Sequence, residues 1–270
     1  MAVDENDIID FYQKHDEDNR MLRKPLEYMR CKEIISRYLI NDSMDILDIG
    51  GGTGAFSFWL SEQGHRVSLI DFVPKHINIA KRHEIEKKTH LLSADVGDAR
   101  KLPFDDGSFD LVLLMGPLYH LVDRDDRLQA FREAFRVLKA GGIVIGEVIS
   151  RFALLVDGFN SGLISNSEFI PIMREDIRTG HHIDTSTSKN YFTNAYFHHP
   201  DDLPKEIEES GFIFEKQIAV TSFGFTIPDI ENKLRDIEFQ RILLDSIRAV
   251  ECEKTLMGIS SHFMGIGRKP

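Results

Sequence analysis

Cysteine is nearly absent from the chain. Cys31 and Cys252, far apart and with no neighbouring His, are the only two in 270 residues, which excludes a disulfide framework and argues against a structural zinc site. Long apolar runs are also missing, and no stretch approaches the roughly 20 residues that a membrane-spanning helix needs. The start MAVDENDIID is acidic rather than signal-like, so a cytoplasmic protein is expected. Positive charge is scarce: 33 Lys and Arg stand against 44 Asp and Glu, a net charge of −11. That balance lacks the basic footprint needed for phosphate backbones, disfavours nucleic acid and favours a small substrate. No internal repeat or low-complexity tract is present. The remaining composition, 42% hydrophobic and 29% charged, suits one large α/β domain with insertions.

Against that background stands Asp48-Ile49-Gly50-Gly51-Gly52-Thr53-Gly54, preceded by Ile46-Leu47 and followed by Ala55-Phe56-Ser57-Phe58-Trp59-Leu60. An apolar strand end runs into a glycine-rich turn and then an amphipathic helix, which lets backbone N–H groups approach a nucleotide cofactor. Glycine spacing alone leaves the cofactor open, since Gly50, Gly52 and Ala55 also satisfy the dinucleotide pattern. Asp48 separates the readings, because a carboxylate there favours donor or cationic groups and repels a nearby pyrophosphate.

The D-x-G-x-G-x-G form resembles motif I of the class I S-adenosylmethionine-dependent methyltransferases. The resemblance implies an S-adenosylmethionine cofactor, S-adenosylhomocysteine as product, and a turn at Gly50, Gly51, Gly52 and Gly54 beneath the methionine part. Asp71 closes the second strand 23 residues after Asp48, where a carboxylate can accept both ribose hydroxyls, with Phe72 beside it in the cofactor site. Asp98-Ala99-Arg100-Lys101-Leu102-Pro103-Phe104 resembles the D-A-x-x-L-P-F stretch of small-molecule methyltransferases. By that resemblance Asp98 faces the adenine amino group and the Ala99 N–H a ring nitrogen, with Asp95 a competitor for the first role.

The fourth strand ends in Met115-Gly116-Pro117-Leu118-Tyr119-His120, where adenine-N6 and glutamine methyltransferases carry Asn/Asp-Pro-Pro-Tyr/Phe. Met115 and Gly116 lack the amide or acid that orients a planar amine, which argues against methylation of DNA adenine. Met115 and the Gly116 carbonyl are cofactor contacts in this reading. Tyr119 and His120 are the catalytic candidates, for positioning or as a base; alternatively His120 caps or packs against the following helix. In the N-terminal segment, Arg20 would pair with the cofactor carboxylate and Tyr12 would approach the sulfonium. The bland alternative there is a solvated charged helix with an aromatic anchor.

Strand-like and helix-like segments alternate: Arg66–Asp71, a charged helix through Lys88, His90–Ala94, Phe109–Met115, a helix with Leu128, Phe131, Phe135 and Leu138, then Ile143–Ile145. This predicts an α/β fold with a doubly wound parallel sheet. The resemblance implies a Rossmann-like, mostly parallel sheet of seven strands, ending in an antiparallel pair made by Phe212–Val220 and Ser261–Gly267. The expected layout is an N-terminal helical cap segment (1–44), the cofactor-binding core (45–150), a lid or substrate insertion (151–200), and the end of the core (201–270). The last carries a helical insertion at 222–256, where Ile230, Leu234, Ile237 and Leu244 read as one amphipathic helix.

His181-His182 and His198-His199 lack metal-ligand spacing, so no metal is expected and these residues read as lid surface or substrate contacts. Tyr191–Phe197 suits a strand or the aromatic wall of an organic pocket, and Trp59 suits core packing. Together the motifs predict methyl transfer to a small organic acceptor, with oligomeric state open. The alternatives are a methyltransferase acting on RNA or protein, an NAD-dependent oxidoreductase, which Asp48 disfavours, and a non-catalytic nucleoside-cofactor-binding protein.

Overall fold

Short apolar segments alternate with amphipathic ones from residue 45 onward, and the chain lays the apolar ones side by side. The computed structural model describes residues 5–187 and 191–270; four residues of the acidic start and three of the aromatic and His-rich segment lie outside it. Three helices come first, α1 (Glu5–Lys14), α2 (Arg20–Arg23) and α3 (Pro25–Ser36). Then follow β1 (Asp45–Ile49), α4 (Ala55–Glu62), β2 (Arg66–Asp71), α5 (Pro74–Lys87), β3 (Ser93–Val96), β4 (Phe109–Leu114), α6 (Pro117–His120), α7 (Arg124–Val137) and β5 (Leu138–Ile149). The second half holds α8 (Ala153–Asn160), α9 (Phe169–Thr179), β6 (His181–His182), β7 (Ala195–Tyr196), α10 (Asp202–Glu209), β8 (Ile213–Ala219), α11 (Ile230–Lys233), α12 (Ile237–Val250), α13 (Lys254–Met257) and β9 (His262–Arg268).

Seven strands form one sheet in the order β3-β2-β1-β4-β5-β9-β8, with β9 antiparallel to both neighbours and the remaining pairs parallel. This is the predicted Rossmann-like sheet with its reversed terminal strand. The central strands are apolar on both faces because helices cover both. Ile46 joins a layer with Phe56, Ile77, Ile34 and Ile35, under α3, α4 and α5, while Leu47 joins Val112, Phe131 and Ile207 under α7 and α10.

Three local expectations change. The third strand is Ser93–Val96 rather than His90–Ala94: Leu91 is buried with its N–H on Glu84 Oε1, while Leu92 is exposed, so the apolar pair marks a junction. The one helix expected across Ile230, Leu234, Ile237 and Leu244 is two, α11 and α12, because the Asp236 carboxylate accepts the N–H groups of Glu238 and Phe239 and starts a new helix there. Within Tyr191–Phe197 only Ala195–Tyr196 pairs as a strand.

The first helices and the late insertion pack together. Leu26 packs with Leu234, Leu243 and Ile247. Fully buried Arg30 donates to the Val220 carbonyl and pairs with Glu33 and Glu251, and Arg248 reaches back to Glu33 at 2.7 Å. Trp59 packs partly buried against the core, below Lys32. Among the described residues no helix is long and apolar enough to cross a membrane.

Candidate cofactor and active site

β1 has β2 on one side and β4 on the other, and the chain leaving β1 turns toward β2 while the chain leaving β4 turns toward β5, so the two loops diverge and open a crevice at the carboxyl ends of the strands. The glycine turn fills its base. Gly50 (φ 72°), Gly52 (φ 59°) and Gly54 (φ 89°) are left-handed, a region costly for other residues. A Cβ on Gly50 would lie 2.5 Å from Pro117 Cδ, and one on Gly116 would lie 2.5 Å from the Gly50 carbonyl oxygen. The two loops therefore touch backbone to backbone. Around them opens a cavity of about 890 Å³, within the range of cofactor sites.

Asp48, Gly50, Gly51, Gly52, Asp71, Phe72, Asp98, Ala99, Met115, Gly116, Tyr119, His120, Tyr12 and Arg20 all line this cavity. Gly54 does not. Its missing Cβ makes room for Phe58 at the start of α4. Asp48 is fully buried, and Oδ2 accepts the Ser57 hydroxyl at 2.6 Å while Oδ1 has no partner. Burial and the nearby Asp71 push its carboxyl up to about 6. A Cβ on Gly51 would sit 2.4 Å from Asp48 Oδ2, so the carboxylate props the turn from beneath. Asp71 binds the Gly52 N–H at 2.8 Å and thereby ties the tip of β2 to the turn.

The two acids at the end of the third strand differ in position. Asp95 is exposed and outside the cavity, while Asp98 lines it, clasped by Arg100, which holds its carboxyl below the usual range despite burial. Arg100 also pairs with Asp126 in the first turn of α7 at 3.0 Å. Asp123, Asp125 and Asp126 join the lining. No sequence motif marks them, and Asp123 caps α7.

Helix α1 closes the cavity from above with Ile8, Ile9 and Tyr12. Its last turn is held by Lys75, whose ammonium donates to the carbonyls of Tyr12 (2.8 Å), Gln13 (3.1 Å) and His15 (3.1 Å). Arg20 is gripped by Glu17 through Nε and Glu27 through Nη1, both at 2.7 Å.

His120 joins α1 to the segment before β7. Thr193 Oγ1 donates to the Asn194 carbonyl and so accepts from His120 Nδ1–H at 3.1 Å, leaving Nε2 bare to accept the Tyr12 hydroxyl at 3.0 Å. Burial lowers the imidazole to about 4, so the ring is neutral near pH 7. Phe192 stacks on it with ring centroids 5.5 Å apart, and Phe11 touches Phe192 from α1. The aromatic segment thus reaches the site through Phe192 and Thr193.

The paired histidines do not behave as a surface. His182 and His198 are fully buried, the first held by Asp176 at 3.0 Å and the second by Glu206 at 3.2 Å. Each anchors the lid to a helix carboxylate, which corrects the reading of these two as exposed or substrate-facing.

Beside the cavity, at the carboxyl end of β5, buried Glu147 has the Cys31 thiol on Oε1 at 3.6 Å, with Glu27 nearby, itself bound to Arg20 and 3.4 Å from His262. Burial, then the neighbouring Glu27 charge, raises the Glu147 carboxyl from 4.5 to about 8. A folded carboxyl that keeps its proton where the unfolded one has lost it stabilises fully below pH 4.5, and that contribution is lost as pH rises to about 8. Urea unfolding across this window is expected to lose about 1.4 kcal/mol per pH unit from this group. Glu147→Gln should flatten that decline; a variant that keeps the wild-type slope would exclude Glu147 as its source.

Residues 47–146 match the family model described as a methyltransferase domain. The chain is 37% identical over 114 residues to erythromycin 3''-O-methyltransferase of Saccharopolyspora erythraea, covering 41% of this chain and 36% of that protein. It is 39% identical over 108 residues to demethylmenaquinone methyltransferase of Lactococcus lactis, covering 38% and 40% respectively. The matched segments thus span well under two thirds of these relatives. Among solved structures, a protein of Pyrococcus horikoshii shares the fold with a TM-score of 0.61 at 17% identity, covering 93% of this chain and 92% of that one. A methyltransferase of Methanosarcina mazei does so with a TM-score of 0.58 at 20% identity, covering 87% and 96%. Over residues 47–146 the chain is thus similar to the methyltransferase-domain family, and as a whole it shares the fold of a solved S-adenosylmethionine-dependent methyltransferase.

Proposed function

We propose that the chain transfers a methyl group from S-adenosylmethionine to a small organic acceptor, in line, inside the pocket closed by α1. The observation that carries this reading is the charge of the cavity at the β1 and β4 ends. Its lining holds seven acidic side chains, Glu17, Asp48, Asp71, Asp98, Asp123, Asp125 and Asp126, against Arg20 and Arg100. Such a lining suits a cationic cofactor and opposes a pyrophosphate. The turn also fits: a Cβ on Gly52 would meet nothing nearer than Glu17 Cγ at 3.6 Å, so the backbone there faces open space.

Bound S-adenosylmethionine supplies a methyl group already activated on a sulfonium, so the chain's part is to bind, orient and exclude water. Asp71 serves the ribose, Asp98 and the Ala99 N–H the adenine, and Met115 and the Gly116 carbonyl the methionine end. Arg20, with Nε and Nη1 engaged by glutamates, turns its remaining nitrogen to the cofactor carboxylate. Tyr12 and Tyr119 wall the reaction centre. His120 accepts a proton at Nε2 when an acceptor hydroxyl or amine replaces the Tyr12 hydroxyl there.

The relatives named for an erythromycin O-methylation and for demethylmenaquinone support a small organic acceptor, and the net charge of −11 weighs against RNA. Calorimetric titration with S-adenosylmethionine, S-adenosylhomocysteine and NAD tests the cofactor. Binding of the first two without an NAD signal is the expected result, and NAD binding alone would overturn it. Methyl transfer to a panel of hydroxyl, amine and quinone-type acceptors then tests turnover.

A further inference from the structure

The Asp71 carboxylate is crowded by donors from its own chain. Oδ1 accepts the Val73 N–H at 2.8 Å and His76 Nδ1 at 3.0 Å, and Oδ2 accepts the Gly52 N–H at 2.8 Å. His76, in the first turn of α5, lines the cofactor cavity and is 3% exposed, with the Tyr12 ring edge-on 4.9 Å away. Its Nε2 is buried without a partner. A carboxylate only accepts, so Nδ1 carries the proton and donates to Oδ1.

Each carboxylate oxygen offers about two acceptor positions. Oδ1 has both filled, by Val73 and His76, while Oδ2 has one left. We infer that His76 is a positioning residue that locks Asp71 so that Oδ2 alone meets the cofactor sugar, through one ribose hydroxyl rather than both. The inference rests on the cofactor reading above. The Val73 N–H already sits on Oδ1 and so does not replace the Nδ1–H donor. Without the imidazole the carboxylate keeps one backbone donor on each oxygen but loses its third restraint, and the hydroxyl contact loses part of what fixes its partner.

The test is calorimetric titration of the full chain with S-adenosylhomocysteine and with its 2′-deoxy and 3′-deoxy forms, for the wild type, His76→Ala and His76→Asn. In the wild type, one deoxy form should bind about tenfold more weakly and the other within about threefold, the difference being one hydrogen bond to a charged group. His76→Ala should weaken the parent ligand about tenfold and weaken no further the deoxy form that has already lost the contact. His76→Asn, which returns an N–H near the Nδ1 position, should recover most of the affinity. Equal losses for both deoxy forms in the wild type, or equal weakening of all three ligands by His76→Ala, would overturn the inference. A wild type that binds none of the three overturns the cofactor reading instead. The ligand-free protein then still decides the role of His76, since its ring ¹⁵N shifts should report a proton on Nδ1, and a ring bare at Nδ1 would refute it.

Discussion

Arg127→Ala is expected to destabilise the fold by about 3–5 kcal/mol, the cost of stranding a buried carboxylate. The guanidinium is 2% exposed, donates from Nε (3.0 Å) and Nη2 (2.9 Å) to Glu206, and gives Nη1 to the carbonyls of Leu121 and Val122, both at 2.8 Å. It also lies 3.9 Å from the centre of the Tyr196 ring. Removal leaves Glu206 with only His198 and orphans two carbonyls whose residues line the cavity. The double change Arg127→Met with Glu206→Met should recover much of the loss, because both charges leave the interior together. Urea unfolding measures both. A loss under about 1 kcal/mol for Arg127→Ala would mean that this pair is relieved by local opening and does not hold the lid base to α7 and α10.

Gly50→Ala should abolish cofactor binding, by more than about a hundredfold, and destabilise by about 2–4 kcal/mol from a left-handed backbone and forced overpacking. The new methyl would stand 2.5 Å from Pro117 Cδ and 3.0 Å from Gly116 Cα, so the loops after β1 and β4 must separate. Gly107→Ala is the matched control. It has φ 66° but nothing within 4 Å of the added carbon, so only the backbone cost of about 1 kcal/mol applies, with no effect on binding. Calorimetry and thermal unfolding of the pair separate steric closure of the crevice from left-handed strain; equal behaviour of the two variants would show that the contact between the loops is dispensable.

The parts of the molecule that were legible in the sequence are those written in local chemistry. Gly50, Gly52 and Gly54 could be read because a left-handed turn demands glycine at each, and β1 and β4 because continuous apolar runs have no solvent-facing side. Asp48 was legible as a signal but with a different emphasis: its carboxylate meets Ser57 beneath the turn. What escaped depended on partners far along the chain. Asp95 and Asp98 are equivalent by composition, and only the end of β3 at Val96 separates them. His182 and His198 look exposed in a polar stretch until Asp176 and Glu206 are brought beside them by α9 and α10. His76 carries no motif of its own, and its meaning comes from the first turn of α5 bending back over the tip of β2. The union of α3 with α12 relies on Glu33 and Arg248, 215 positions apart.

The three carbonyls at and just after the end of α1 that share the Lys75 ammonium fix that end of the helix, while Ile8 and Ile9 line the cavity from nearer its start. The same helix carries Tyr12 to His120 and Phe11 to Phe192. Cavity lining, the hydrogen bond to His120 and the contact with Phe192 therefore sit on one helix, so a substitution that displaces α1 disturbs all three together.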